Sequence, residues 1–225
     1  MELAQTRAIV TGGGSGMGRE FTLALARAGA SVLAVDVDPA ALAATVEAAS
    51  AAAGRVVGHQ ADVSDEAQVT AMIGVAVEKL GGLNALVNNA GIFRDGLLIR
   101  PDKDTGSIKK MSLQQWNQVI AVDLTGPFLC TREFAAHIAT TKTPASVVVN
   151  ISSVARHGNP GQSNYSAAKA GLVADTKLWA IELARYGIRV GAIAPGFVDT
   201  PILQGMRPDV LEGMLKAVPL RRAAS

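Results

Sequence analysis

Six short runs rich in β-branched residues recur along the chain, with segments of helical length between them: RAIV, SVLAV, RVVGHQ, ALV, SVVVNIS and IRVGAIA. A strand buried on both faces reads as a near-continuous apolar run, and strands alternating with helices build a parallel sheet. Gly29, Gly54 and Gly187 follow three of the helical segments, where a helix-ending glycine belongs. The expectation is one doubly wound α/β domain over residues 1–225, with a parallel sheet and helices on both faces. One stretch breaks the pattern. Ile92 to Met111, IFRDGLLIRPDKDTGSIKKM, shows little periodicity and reads as a site border, an interface element or a surface excursion.

Composition excludes several classes. Of 225 residues, 49% are hydrophobic and 18% charged, enough to bury a core and too apolar for disorder. A formal charge of +2, with basic residues scattered, argues against a nucleic-acid or membrane surface. Cys130 is the only cysteine, and His59, His137 and His157 are far apart in sequence, so neither a disulfide framework nor a metal site is expected. No apolar run has membrane-spanning length and MELAQTRAIV lacks a signal-peptide core, which makes a cytoplasmic location the expectation.

The segment AIVTGGGSGMGRE runs from the first strand through glycines toward a helix. Glycines let the backbone approach a ligand closely, and a helix N-terminus offers free amides and partial positive charge to a phosphate. The spacing is T-G-x-x-x-G-x-G, built on Thr11, Gly12, Gly16 and Gly18, with Ser15 and Met17 in the turn. Asp36 closes the second run, about 20 residues on, where an acid bonds the ribose hydroxyls of a dinucleotide. A carboxylate there would repel a 2′-phosphate, and the turn holds no lysine or arginine to attract one. NAD(H) is therefore expected over NADP(H).

The segment SNYSAAKAG places Tyr165 four residues before Lys169, on one helical face. A free phenol has a pKa near ~10, a nearby ammonium lowers it, and general acid–base work is favoured when the pKa nears the operating pH. The strand ASVVVNIS ends at Ser152 and Ser153, at a carboxyl end where ligands of open α/β sheets bind. A serine hydroxyl there can hold a carbonyl oxygen while the tyrosine protonates it.

Taken together, TGGGSGMG, NNAG (Asn88 to Gly91), the serine–YSAAK pair and PGFVDT (Pro195 to Thr200) resemble the classical short-chain dehydrogenase/reductase family over nearly the whole chain. The resemblance implies that Tyr165 is the acid–base, that Lys169 binds the nicotinamide ribose and lowers the tyrosine pKa, and that a serine orients the substrate oxygen. It implies adenine contacts at Asp62 and Val63, adenosine-ribose contacts at Asn89 and Ala90, and carboxamide contacts at Val198 and Thr200. Counting thirteen residues back from the tyrosine gives Ser152, whereas anchoring on the strand end gives Ser153. Because a one-residue slip reverses side-chain direction, Ser153 is selected and Ser152 is the alternative.

Where the family carries a catalytic asparagine, this chain has Asp123, in VIAVDLTGPFLC. The family role is to hold a water through the main-chain carbonyl, and Pro127, four residues on, cannot donate to that carbonyl. Asp123 is thus kept in the catalytic set, and Asp123→Asn is expected to alter turnover only modestly. Ser112 to Gln115 reads as a capping box. Trp116 and Phe128 read as packing or interface, and His157 as a solvent-exposed loop residue in preference to one that touches substrate.

After VPLRRAAS the sequence stops where the family continues through a further helix and last strand, so either the sequence is incomplete or the domain lacks both. The activity implied is hydride transfer between NAD(H) and a secondary alcohol or ketone, in a homodimer or homotetramer. NNAGIFRDGLL and GNPGQSNYSAAKAG look like 3-oxoacyl-(acyl-carrier-protein) reductases and 3-hydroxyacyl-CoA dehydrogenases, which suggests a 3-oxo/3-hydroxyacyl thioester. The alternative is an NAD-binding regulatory or scaffolding protein without turnover.

Overall fold

A computed structural model describes residues 2–199, 208–216 and 218–224. All six β-branched runs form strands: β1 (Arg7–Thr11), β2 (Ser31–Asp36), β3 (Arg55–Gln60), β4 (Ala85–Asn88), β7 (Ser146–Ile151) and β8 (Ile188–Ile193). They pair in parallel in the order β3-β2-β1-β4-β7-β8. The order reverses between β1 and β4, which opens a crevice at the carboxyl ends of the strands.

The connecting helices are α1 (Gly16–Arg27), α2 (Pro39–Ala48), α3 (Glu66–Leu80), α4 (Leu113–Ile120), α5 (Gly126–Thr141) and α6 (Ser163–Glu182); α7 (Pro208–Lys216) follows the sheet. Ala8, Ile9 and Val10 of β1 have no exposed surface, since both faces of the sheet are covered. On one face Ile9, Leu33, Leu86 and Val148 meet Met72 of α3 and Phe134 of α5. On the other, Ala8, Val10 and Val32 meet Phe21 and Leu25 of α1, and α2 packs beside it.

Polar side chains pin the middle of the sheet. Asn88 Nδ2 donates to Thr131 Oγ1 at 3.0 Å and to Asn150 Oδ1 at 2.8 Å, and Asn150 Nδ2 donates to Thr176 Oγ1 at 2.9 Å. Fully buried polar groups need such partners, and these bonds tie β4 and β7 to α5 and α6 directly beneath the crevice. Burial pushes the Cys130 thiol up to about 12, so it packs as an apolar group.

The aperiodic stretch holds an element that the hydrophobic pattern did not reveal. β5 (Ile99–Pro101) and β6 (Ile108–Lys110) form an antiparallel hairpin exposed on both faces. Asp102 organises its turn, accepting from the amides of Asp104 (3.0 Å) and Thr105 (2.9 Å) and pairing with Lys109. The Lys109 ammonium, then the two amides, hold its carboxyl down to about 2. The capping box forms as read: Ser112 Oγ accepts from the Gln115 amide at 3.1 Å while Gln115 Oε1 accepts from the Ser112 amide at 3.0 Å. No described helix is long and apolar enough to cross a membrane.

Candidate active site

A cavity of about 770 Å³ runs along the carboxyl ends of the strands. At one end stands Asp36, the last residue of β2, and beside it the turn between β1 and α1. Ser15 occupies the N-cap of α1, but its side chain caps no amide, so the first turn of the helix faces the cavity without a protein partner from that residue. Those amides and the helix dipole suit an anionic diphosphate. Asp36 braces the turn: Oδ2 accepts the Gly14 amide at 3.0 Å and Oδ1 the Asp38 amide at 3.2 Å. The same carboxylate lines the cavity, where it is placed to accept from ribose hydroxyls.

Of the residues predicted to hold the dinucleotide, Gly12, Ser15, Gly16, Met17, Asp36, Asp62, Val63, Asn89, Ala90, Tyr165, Lys169 and Val198 line this cavity. Gly18 does not. It is buried behind the turn, where an added Cβ would fall 2.0 Å from the Gly12 carbonyl oxygen and 2.4 Å from Asn89 Nδ2. Its contribution is close packing of α1 against the loop, not contact with a ligand. Thr200 lies outside the described residues.

Thr11 fastens the next stretch of wall. Its Oγ1 accepts the amides of Asn89 (3.0 Å) and Ala90 (3.1 Å), while Asn89 Nδ2 donates to the Thr11 carbonyl at 3.0 Å. Asp62 Oδ1 accepts from the Ser64 amide (2.8 Å) and hydroxyl (2.7 Å), which fixes the turn after β3. A preformed cleft with the first-turn amides of α1 and the Asp36 carboxylate at one end fits a nicotinamide dinucleotide.

Ser153, Tyr165 and Lys169 meet at the other end of the cavity. Tyr165 is nearly buried, its ring 4.5 Å from that of Phe93. Ser153 follows β7 and caps a short 3₁₀ turn (Val154–His157), where its Oγ accepts the Ala155 amide at 3.1 Å, and its hydroxyl acts to lower the Tyr165 pKa. Ser152 also borders the cavity, but its hydroxyl donates to the Lys169 carbonyl at 3.0 Å, which ties α6 to the end of β7. His157 is exposed and is not among the lining residues.

Asp123 differs most from its expected part. It sits in a π-helical turn (Ala121–Thr125) between α4 and α5, fully buried and set back from the cavity wall. Expectation centred on its main-chain carbonyl; the structure gives contacts to its side chain. Oδ1 accepts the Ile92 amide at 2.8 Å, and Oδ2 lies 3.2 Å from Lys169 Nζ. Lys169 Nζ also donates to the Ile151 carbonyl at 3.1 Å, and stands 5.4 Å from the centre of the Tyr165 ring. Burial raises the Asp123 carboxyl above its ordinary value, opposed by Lys169 and the Ile92 amide.

The resemblance implies a lysine that lowers the phenol pKa; here much of the ammonium's charge is matched by Asp123. Burial first, then the Asp123 charge, push the Tyr165 phenol up to about 12; Asp95 adds to the rise and the Ser153 hydroxyl opposes it.

Three supporting groups escaped the sequence reading. Asn164, fully buried, donates to the carbonyls of Arg94 and Gln115, both at 3.1 Å, and its Oδ1 accepts the Tyr165 amide at 2.8 Å. It seats the first turn of α6 against the loop after β4. Asp95 accepts from Gln162 Nε2 at 2.9 Å and borders the cavity, and Phe93 backs the tyrosine. An asparagine immediately before the tyrosine was the one available signal, and by itself a weak one.

Comparison with known proteins agrees with this geometry. A sequence profile described as short chain dehydrogenase matches residues 6–211. The 3-oxoacyl-[acyl-carrier-protein] reductase FabG of Thermotoga maritima is 38% identical over 223 residues, covering 99% of this chain and 86% of the relative. The (2S)-[(R)-hydroxy(phenyl)methyl]succinyl-CoA dehydrogenase subunit BbsD of Thauera aromatica is 40% identical over 195 residues, covering 87% of this chain and 74% of that one. A crystal structure from Sinorhizobium meliloti 1021, assigned to the short-chain alcohol dehydrogenases, superposes with a TM-score of 0.85 at 32% identity, covering 98% of this chain and 84% of its own. With the profile spanning the whole six-stranded sheet and the Thermotoga relative aligned along almost the full sequence, the chain belongs to the short-chain dehydrogenase family of nicotinamide-dependent oxidoreductases.

Proposed function

We propose that the protein reduces a 3-oxoacyl thioester to the 3-hydroxyacyl thioester, reversibly, with NADH as the cofactor. The observation that carries this reading is the single continuous cavity that joins the glycine turn and Asp36 to Ser153, Tyr165 and Lys169. When bound, the cofactor supplies the hydride. Ser153 holds the carbonyl oxygen of the substrate by hydrogen bonding. The Tyr165 phenol gives its proton to that oxygen as negative charge develops there, and the phenolate regains a proton from solvent. Phe93, Val154 and Phe197 make the wall near the tyrosine apolar, which suits an acyl chain. The names of the Thermotoga and Thauera relatives, which refer to acyl-carrier-protein and CoA thioesters, support the substrate class.

Asp36 supports NADH over NADPH, because a 2′-phosphate would be brought against a carboxylate. Removing that charge with Asp36→Ala should raise kcat/KM for NADPH by about tenfold or more and weaken NADH binding. A screen of NADH and NADPH absorbance with 3-oxoacyl-CoAs, simple ketones and secondary alcohols tests the whole reading. Turnover of no thioester removes the substrate class, and wild-type activity equal or better with NADPH removes the Asp36 argument. Ser153→Ala should lower kcat on the order of a hundredfold, whereas Ser152→Ala, whose hydroxyl is held by α6, should chiefly lower thermal stability.

Assembly as a homodimer or homotetramer and a cytoplasmic location belong to the same proposal. Exposed Leu113, Trp116 and Phe128 on α4 and α5 support assembly, and light scattering in solution tests it. The single free thiol is compatible with a reducing compartment. The regulatory alternative gains no support from a site in which serine, tyrosine and lysine converge.

A further inference from the structure

The buried ion pair behind Tyr165 departs from what an acid–base tyrosine ordinarily asks of its neighbours. A lysine next to a catalytic phenol helps most when its positive charge acts on the phenolate. Here Lys169 and Asp123 have side chains 4% and 0% exposed, and Nζ lies 3.2 Å from Oδ2. Asp123 Oδ1 accepts an amide, and Oδ2, which accepts no hydrogen bond, lies 3.2 Å from an ammonium, an arrangement that suits an ionised carboxylate. The surrounding backbone is built around that carboxylate. The π-helical turn brings Asp123 inward, and a Cβ on Gly91 would stand 2.8 Å from Oδ2 and 3.5 Å from Lys169 Nζ. A side chain at residue 91 would crowd the Asp123 carboxylate.

The charged groups facing the phenol are then two acids and one base. Lys169 reaches it from α6, Asp123 from the turn between α4 and α5, and Asp95 from the loop after β4; the Ser153 hydroxyl approaches from the end of β7. Pairing Lys169 with Asp123 leaves little net positive charge beside Tyr165. Phenolate is the form that accepts a proton in alcohol oxidation, and phenol is the form that donates one in carbonyl reduction.

We infer that Asp123 is a positioning residue whose carboxylate claims the Lys169 ammonium and keeps Tyr165 as a phenol, so that carbonyl reduction runs through neutral pH while alcohol oxidation is confined to alkaline solution. This rests on the hydride-transfer reading above. Removing the negative charge at residue 123 frees Lys169 to act on the phenolate and lowers the pH at which Tyr165 ionises. At neutral pH the reductive rate changes little, because the phenol is already protonated there.

The test uses two neutral variants, Asp123→Asn and Asp123→Ser, and one that keeps the charge, Asp123→Glu. In oxidation, the acid limb of the kcat/KM profile should move down by about one pH unit or more in the neutral variants and stay in place in Asp123→Glu. The chain has two tyrosines, so a Tyr186→Phe background leaves Tyr165 as the sole phenol for ultraviolet titration of the protein alone. There the neutral variants should ionise at lower pH than their parent while circular dichroism still reports a folded chain. If neither the limb nor the titration moves, or if Asp123→Glu moves as far as the neutral variants, the inference fails. The titration needs no turnover, so it decides the inference even if no alcohol is oxidised and the hydride-transfer reading falls.

Discussion

Tyr165→Phe lowers turnover by on the order of a thousandfold and leaves dinucleotide binding in place. The substitution deletes one oxygen. The ring keeps its contact with Phe93, and the backbone amide of residue 165 keeps Asn164 Oδ1 as its acceptor, so the first turn of α6 has no reason to shift. Lys169 stays paired with Asp123 and held by the Ile151 carbonyl, neither of which involves the phenol. What disappears is the proton donor to the developing alkoxide, while Ser153 Oγ keeps the Ala155 amide as its partner. Steady-state rates with NADH and a 3-oxoacyl-CoA, beside calorimetric titration of NADH, separate the two effects. A variant that retains a tenth or more of wild-type turnover would show that another group donates the proton.

Gly18→Ala should be the most disruptive single-methyl change in the nucleotide loop. The new Cβ would lie 2.0 Å from the Gly12 carbonyl oxygen, 2.7 Å from the Gly12 carbonyl carbon and 2.4 Å from Asn89 Nδ2. Two of these are backbone atoms and cannot rotate away. Either α1 withdraws from the turn or the turn opens, and in both cases the amides of the first helical turn leave the position that suits a diphosphate. Overpacking of this kind costs about 1–3 kcal/mol, which for a chain of this size lowers Tm by roughly 2–12 °C. NADH affinity should fall by about tenfold or more, because a small misplacement of the loop removes several amide contacts at once. Gly74→Ala is the control. It lies inside α3, with nothing within 4 Å of an added Cβ, and should raise Tm slightly through helix propensity. Equal effects from the two substitutions would mean that close approach at Gly18 is not what selects glycine there.

The sheet was legible because a parallel strand covered on both faces must be apolar throughout, and RAIV, SVLAV and SVVVNI have few other uses. The capping box at Ser112 was legible for a similar reason, since its two hydrogen bonds depend on residues three apart. The β5–β6 hairpin was not, because its strands have three residues each and neither face is buried, so no alternation can develop. A signal did exist in DKDTG, where Asp102 bonds the amides two and three residues on and Gly106 turns with φ 68°.

Within the site, motif spacing pointed to the cavity but not to the direction of each hydroxyl. Ser152 and Ser153 are adjacent and chemically equal; the pleat of β7 sends one to the Lys169 carbonyl and the other toward the phenol. Asp123 was hardest to read. Its part depends on Lys169 in α6, forty-six residues on, and on room left by Gly91. No local pattern carries that pairing.

The central claim is that a hydride passes to the carbonyl carbon of a 3-oxoacyl thioester held beside Ser153 and Tyr165. The most direct measurement is label transfer. The protein is mixed with acetoacetyl-CoA and NADH carrying deuterium at the transferable position of nicotinamide C4, and the product is examined by mass spectrometry and NMR. The account predicts 3-hydroxybutyryl-CoA with deuterium at C3, formed by the wild-type protein and lost in Tyr165→Phe. Product that stays unlabelled whichever face of the nicotinamide carries the deuterium, or no product at all, would contradict it.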